Sequence, residues 1–245
     1  MMKSKKIIWS AFVSLSLSAL FFSCSKDESL TASFLPSNNY YPLKIGVWHI
    51  YDVDSISYND FTNPVTIDSI AYQVKEELTD TFFDLEGNIS YEITRSKRAL
   101  KNDSVSIENM PWKISDLWWV KKVNGNINRI EENVRYVSLI SLISEGKTWN
   151  GNAFNHINQW DYTCTNVGSE FGEYSNTVTV SQREEDAVII YRDYKEVYAK
   201  GIGLVSRTRI DIESQDTQNP LPIIQKAEKG FQYFQNLNSY YIPEQ

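Results

Sequence analysis

From Tyr40 onward, apolar residues recur mostly at every second position, in runs separated by turn-forming residues. That spacing marks strands with one dry and one wet face, the pattern of antiparallel sheets. Ile70, Tyr72 and Val74 share a strand face, as do Ile89, Tyr91 and Ile93, and Val178 and Val180. In the stretch 201–213, Ile202, Leu204, Ile210 and Ile212 are expected on the buried side, with Arg207, Arg209 and Asp211 in solvent. Val123-Asn124-Gly125-Asn126-Ile127 supplies a type I′ hairpin, because Asn and Gly adopt positive φ at little cost. Residues 118–123 are therefore predicted to pair with 127–137. Helical spacing is confined to 135–144 and 191–200, whose β-branched and aromatic residues suit strands equally. The expected fold is mainly β, with curved antiparallel sheets of half-barrel or sandwich type and few or no helices. Residues 40–245 read as one domain, since no second linker, repeat or low-complexity run interrupts them.

The first 39 residues follow a different pattern. Lys3, Lys5 and Lys6 precede an apolar stretch from Ile7 to Phe22, which ends at Ser23-Cys24 and the charged tract Ser25-Lys26-Asp27-Glu28-Ser29. The stretch is shorter than the ~18–20 residues a membrane-crossing helix needs, and it has the layout of a secretory signal. Leu20-Phe21-Phe22-Ser23-Cys24 resembles the lipobox of bacterial lipoproteins, which implies cleavage before Cys24 and acylation of that residue. Several acyl chains hold a protein to a membrane stably where one does not. On this reading residues 1–23 are a signal peptide and 24–39 a lipidated tether. The protein is then anchored in the outer membrane, on the periplasmic face or at the cell surface.

Composition narrows the chemistry. The first 23 residues hold three of the 24 basic residues and none of the 31 acidic ones, so the remainder carries about −10. Such a surface repels phosphate backbones, and no Lys/Arg cluster offsets it, so nucleic acid is not an expected partner. With Cys24 acylated, Cys164 has no partner for a disulfide and reads as a small buried apolar residue.

Three stretches, "YYPLKIGVWHIYDV" (40–53), "EGKTWNGNAFN" (145–155) and 176–207 with its "YAKGIGLV" motif, resemble uncharacterised lipoproteins of Bacteroidota. The resemblance covers about a quarter of the chain. It implies a curved antiparallel β-sheet protein and no particular activity. The chain departs from the family pattern at Trp48, one residue early, where His49 takes the usual Trp place; a bulge that returns Trp48 to the core is the expected remedy. Gly201 and Gly203 are read as fold-making, since a phosphate-cradling loop needs a strand–loop–helix setting.

No catalytic constellation is visible. His49 and His156 are the only histidines, too few for an imidazole-based zinc site, and His156 is placed in a surface loop. Asp52 and Asp54 share a strand face and are read as solvated. No cofactor or metal is implied. Asp54-Ser55-Ile56, Asp68-Ser69-Ile70 and Asp103-Ser104-Val105 resemble Bacteroidota O-glycosylation acceptors. The remaining lead is aromatic: 7 Trp, 15 Tyr and 11 Phe. Trp118, Trp119, Trp149 and Trp160 are the candidate ligand platform, with one of the adjacent pair Trp118 and Trp119 in the core and the other covered by a second sheet. The expected function is a non-enzymatic module that binds a glycan or another apolar-faced ligand. The alternatives are a structural accessory to an envelope protein and a carboxylate-based hydrolase.

Overall fold

The computed structural model describes residues 35–99 and 109–244. Among them are β1 (Leu35–Pro36), β2 (Trp48–Asn59), β3 (Thr66–Phe83), β4 (Ile89–Ala99), β5 (Lys113–Val123), β6 (Asn126–Glu131) and β7 (Val134–Leu139). They continue with β8 (Leu142–Ile143), β9 (Thr148–Asn150), β10 (Asp161–Phe171), β11 (Tyr174–Asp186), β12 (Ile190–Ala199), β13 (Gly203–Glu213) and β14 (Lys229–Tyr241). No α-helix occurs among the described residues, and both stretches with helical spacing are strands, in β7–β8 and β12. Their β-branched and aromatic side chains pack better on a pleated surface than on a helix.

Twelve strands form one antiparallel sheet in the order β7-β6-β5-β4-β3-β2-β14-β13-β12-β11-β10-β9. The sheet curls until its two edges nearly meet. Val137 N–H donates to Gly151 O at 2.9 Å, and Trp149 Nε1 donates to Val137 O at 2.7 Å. Near closure leaves little unpaired edge to recruit another chain. Because β6, β7 and β9 are short, that part of the wall is low, while β2 to β5 and β10 to β14 continue past it.

The Asn124-Gly125 hairpin forms as predicted, with φ of 50° and 81°. A Cβ on Gly125 would sit 2.6 Å from Ser141 Cβ, so glycine is required there for space as well as for φ. The partner strand is shorter than expected. A second tight turn at Glu132 and Asn133, φ 49° and 63°, splits 127–137 into β6 and β7.

The hairpins β3–β4, β5–β6, β10–β11 and β12–β13 gather at one end, together with the segment leading into β2. There Ser37 Oγ donates to Gly125 O at 2.5 Å, and Tyr40 and Tyr41 enter the inner core at 0% and 8% exposure. This is the plugged end. The turns β2–β3, β11–β12 and β13–β14 lie at the opposite, free end.

Two sequence expectations about faces are corrected. Trp48 is not returned to the core. β2 and β3 pair without a break from Trp48↔Glu77 to Asn59↔Thr66, and the bulge lies in β14 between Leu237 and Ser239. Trp48 therefore faces outward, stacked on Tyr241 with ring centroids 6.2 Å apart. His49 faces inward instead, its Nε2 2.7 Å from Ile202 O. The second correction concerns β13. A bulge pairs Val197 with Ser206 but Tyr198 with Leu204, skipping Val205, so the alternation changes side. Leu204 joins the inner core, whereas Ile210 and Ile212 pack outside against Ile223 and Ala227 of the β13–β14 connection. Arg207, expected in water, is inside at 2% exposure.

Candidate functional site

The inner face carries charge where the flanking apolar residues promise none. Val74, Glu76 and Leu78 point inward from β3, Ile93 and Arg95 from β4, and Ile127, Arg129 and Glu131 from β6. Arg95 Nε lies 3.0 Å from Glu76 Oε1, and Arg129 Nη2 lies 3.2 Å from Glu76 Oε2. Arg129 Nε is also 3.0 Å from Glu131 Oε1, an ionic contact without hydrogen-bond alignment. Across the barrel, Arg207 Nη2 is 2.7 Å from both Glu131 Oε1 and Glu196 Oε1. Tyr198 OH donates to Glu196 Oε2 at 2.5 Å.

Burial alone would raise the Glu76 carboxyl, but Arg129, Arg95 and Arg207 outweigh it and hold it below the ordinary carboxylate value. Glu131 is likewise held low, burial being overcome by Arg207, Arg129 and Arg209. Both acids are thus ionised and fully engaged. The cavity bounded by His49, Tyr51, Glu76 and Arg129 has about 20 Å³ of space, which fits about one water and no substrate. The network braces the barrel; it offers no free acid or base. Burial, reinforced by Glu145, raises the Cys164 thiol to about 12, so that cysteine is an inert thiol inside the core.

Toward the free end the same inner face changes character. Tyr72, Tyr136, Trp160, Tyr194 and Tyr233 are half-exposed there. Trp160 and Tyr194 meet edge-to-face with ring centroids 5.6 Å apart, and the Arg183 guanidinium lies 4.9 Å from the Trp160 ring. Tyr194 OH donates to Asp211 Oδ2 at 3.1 Å; burial, then that carboxylate, raises the phenol to about 12. At the corner of β3, β4 and β5 a groove of about 690 Å³ opens beside Tyr72, with Ala99, Met110 and Ile114 as apolar wall and Lys97, Arg98 and Lys113 as cations. The arrangement offers ring faces for stacking, phenol and guanidinium donors at their edges, and an apolar floor.

The four tryptophans expected to form one platform are dispersed. Trp118 is 6% exposed, with the Arg95 guanidinium 3.7 Å from its ring and its Nε1 donating to Glu132 Oε1 at 3.1 Å. Trp149 is spent on closing the barrel. Trp119 faces outward and half-buried between Glu92 and Ile130, and among the described residues the only other sheet is the two-stranded pair β1–β8. Only Trp160 stands at the free end. Cys24 and Asp103-Ser104-Val105 lie outside the described residues. Ser55 is half-buried on the inner face, whereas Ser69 is exposed. Asp52 and Asp54 share the outer face, where Gln73 Nε2 at 2.7 Å and Asn238 Nδ2 at 2.8 Å bond Asp52. His156 is exposed in the β9–β10 loop.

Comparison with family models, curated proteins and solved structures returned no match. The free-end lining therefore has to be interpreted from its own chemistry. The sequence reading missed Glu76, Arg129, Glu131 and Arg183. Glu76 carried a usable signal, a charged residue at core parity between apolar neighbours in Val74-x-Glu76-x-Leu78, whereas Arg129 has such a neighbour only in Ile127 and Glu131 has none.

Proposed function

We propose that the chain is a lipid-anchored lipoprotein of the bacterial envelope, of the Bacteroidota type, that binds a glycan or similarly apolar-faced ligand without transforming it. The observation that carries the binding reading is the half-exposed Trp160–Tyr194 pair with Arg183 beside it, at the end of the barrel away from the incoming chain. Sugar rings present apolar C–H faces and polar rims, which match an aromatic face bordered by phenol and guanidinium groups. Acylation at Cys24 supplies the attachment.

The binding test is titration of the tryptophan fluorescence with a panel of oligosaccharides. Trp160→Ala should weaken the best binder by at least tenfold, while Trp119→Ala on the outer face should leave it unchanged. Equal effects from the two substitutions, or no binder in the panel, would remove the glycan version. Metabolic labelling should mark the wild type and fail to mark Cys24→Ala.

A further inference from the structure

Resting on the lipid-anchor reading, we infer that the plugged end of the barrel sits in the membrane interface itself, with Ile45, Phe83, Leu85, Ile89, Tyr240 and Tyr241 against the headgroup–acyl boundary. All six are exposed, Phe83 at 76% and Leu85 fully. The topology brings them to one end: Phe83 and Ile89 flank the β3–β4 turn and pair with each other, Tyr240 and Tyr241 pair with His49 and Trp48, and Ile45 precedes Gly46, whose N–H bonds Leu78 O. A groove of about 630 Å³ lined by Tyr41, Leu43, Phe83, Ile89 and Tyr91 joins the turn to the entering segment.

The turn is also electrically prepared for such a place. Its acids, Asp84 and Glu86, are turned to Lys121 Nζ at 2.6 and 2.8 Å, and Glu86 also pairs with Arg135 at 2.9 Å. Phe83 and Leu85 thus project from a turn whose charges are already matched. Apolar and aromatic side chains over a neutralised base suit the interfacial zone of a bilayer.

Exposed apolar residues alone would not select this end, because Phe61, Ile67 and Ile114 are exposed at the other. The chain itself selects it. Leu35 pairs with Ile143 beside the plugged end, and Cys24 lies eleven residues earlier, a reach of at most about 40 Å. The 18 residues of β3 span roughly 60 Å, or about 45 Å along the axis of a tilted barrel wall. The plugged end is within reach of the anchoring membrane; the free end, in an end-on pose, is not.

The test uses the full acylated protein in phosphatidylcholine vesicles, with a spin label at Leu85→Cys or, separately, at Phe61→Cys. Both positions are exposed, so the fold tolerates them, and Cys164 is buried and does not take the label. At residue 85, collision with a water-soluble nickel chelate should fall at least threefold on vesicle binding while collision with oxygen rises. At residue 61 neither should change. An acylated protein whose label at 85 stays as nickel-accessible as that at 61 overturns this inference alone, and protection at 61 instead of 85 overturns it in favour of the opposite pose. Absence of acyl chains on Cys24 overturns the anchor reading beneath it.

Discussion

The middle of the barrel interior and its free end share the same strands and differ in what they leave unfinished. In the middle, Glu76, Glu131 and Glu196 meet Arg95, Arg129 and Arg207 in ion pairs of 2.7 to 3.2 Å, and each side chain is at most 7% exposed. At the free end, Tyr72, Trp160, Tyr194 and Tyr233 are only half-covered. A sheet that pairs all its buried charge internally has nothing there to offer a ligand. A sheet that leaves ring faces wet has. The charged residues, which usually draw attention in a search for chemistry, are here the frame, and the neutral aromatic rings are the accessible surface.

The comparison breaks first at Arg129. Arg129→Leu strands Glu76 and Glu131 without their shared cation, and removing one partner from a buried ion pair costs about 3–5 kcal/mol; urea denaturation should show a loss of that size. Trp160→Ala should cost far less stability and act on ligand binding instead. Acid is the next lever. The folded values of Glu76 and Glu131 lie below the ordinary 4.5, so the folded state binds fewer protons than the unfolded one. Their stabilisation is whole above about pH 4.5 and is lost as pH falls through the folded values. His49 adds an earlier decline: burial first, against its bond to Ile202 O, lowers it below 6.5, so its share of stability begins to fall below about pH 6.5. The urea midpoint measured from pH 8 to pH 3 should drop in both ranges, and His49→Phe should flatten only the upper one.

Tyr51→Phe is a milder test of the sealed region. Its hydroxyl donates to Leu204 O at 3.1 Å inside the core, and losing one neutral buried hydrogen bond costs about 1 kcal/mol. The smallest effect belongs to the free end: Glu185→Gln should leave the urea midpoint essentially unchanged, because the Glu185 carboxylate is solvent-exposed and Arg192 keeps Asp211 and Glu213 at 2.9 and 3.0 Å. A large loss there would mean that the free end is as tightly framed as the middle.

Local chemistry made some of this readable from the chain and long-range chemistry hid the rest. The Asn124-Gly125 turn was legible because its backbone demand is met by residue type alone. The Glu132-Asn133 turn was not, since glutamate at positive φ carries no signature. Alternation gave the strands but not which side was enclosed. Ile210 and Ile212 resemble a core face and are one, yet the cover is the β13–β14 connection on the outside, while Arg207 is made tolerable inside by Glu131 and Glu196 from other strands. Trp118, Trp149 and Trp160 all face inward, but which of them remains open depends on the height of the barrel wall at each.

The last strand of the chain is not at an edge: β14 sits between β2 and β13, with eleven register partners on the first of these. β2 to β7 and β9 to β13 pair with their neighbours in sequence, so each half can build its own ladder, whereas the β14–β2 pairs that join the halves, from Gly230↔Tyr58 to Tyr241↔Trp48, link residues more than 150 positions apart. The pairing of β14 with β2 is the longest-range step in the sheet and is expected to be the slowest to form. Until the thirteen residues of β14 take their place between β2 and β13, the two halves of the wall stay unjoined. Deleting those residues should abolish the fold outright rather than trim it.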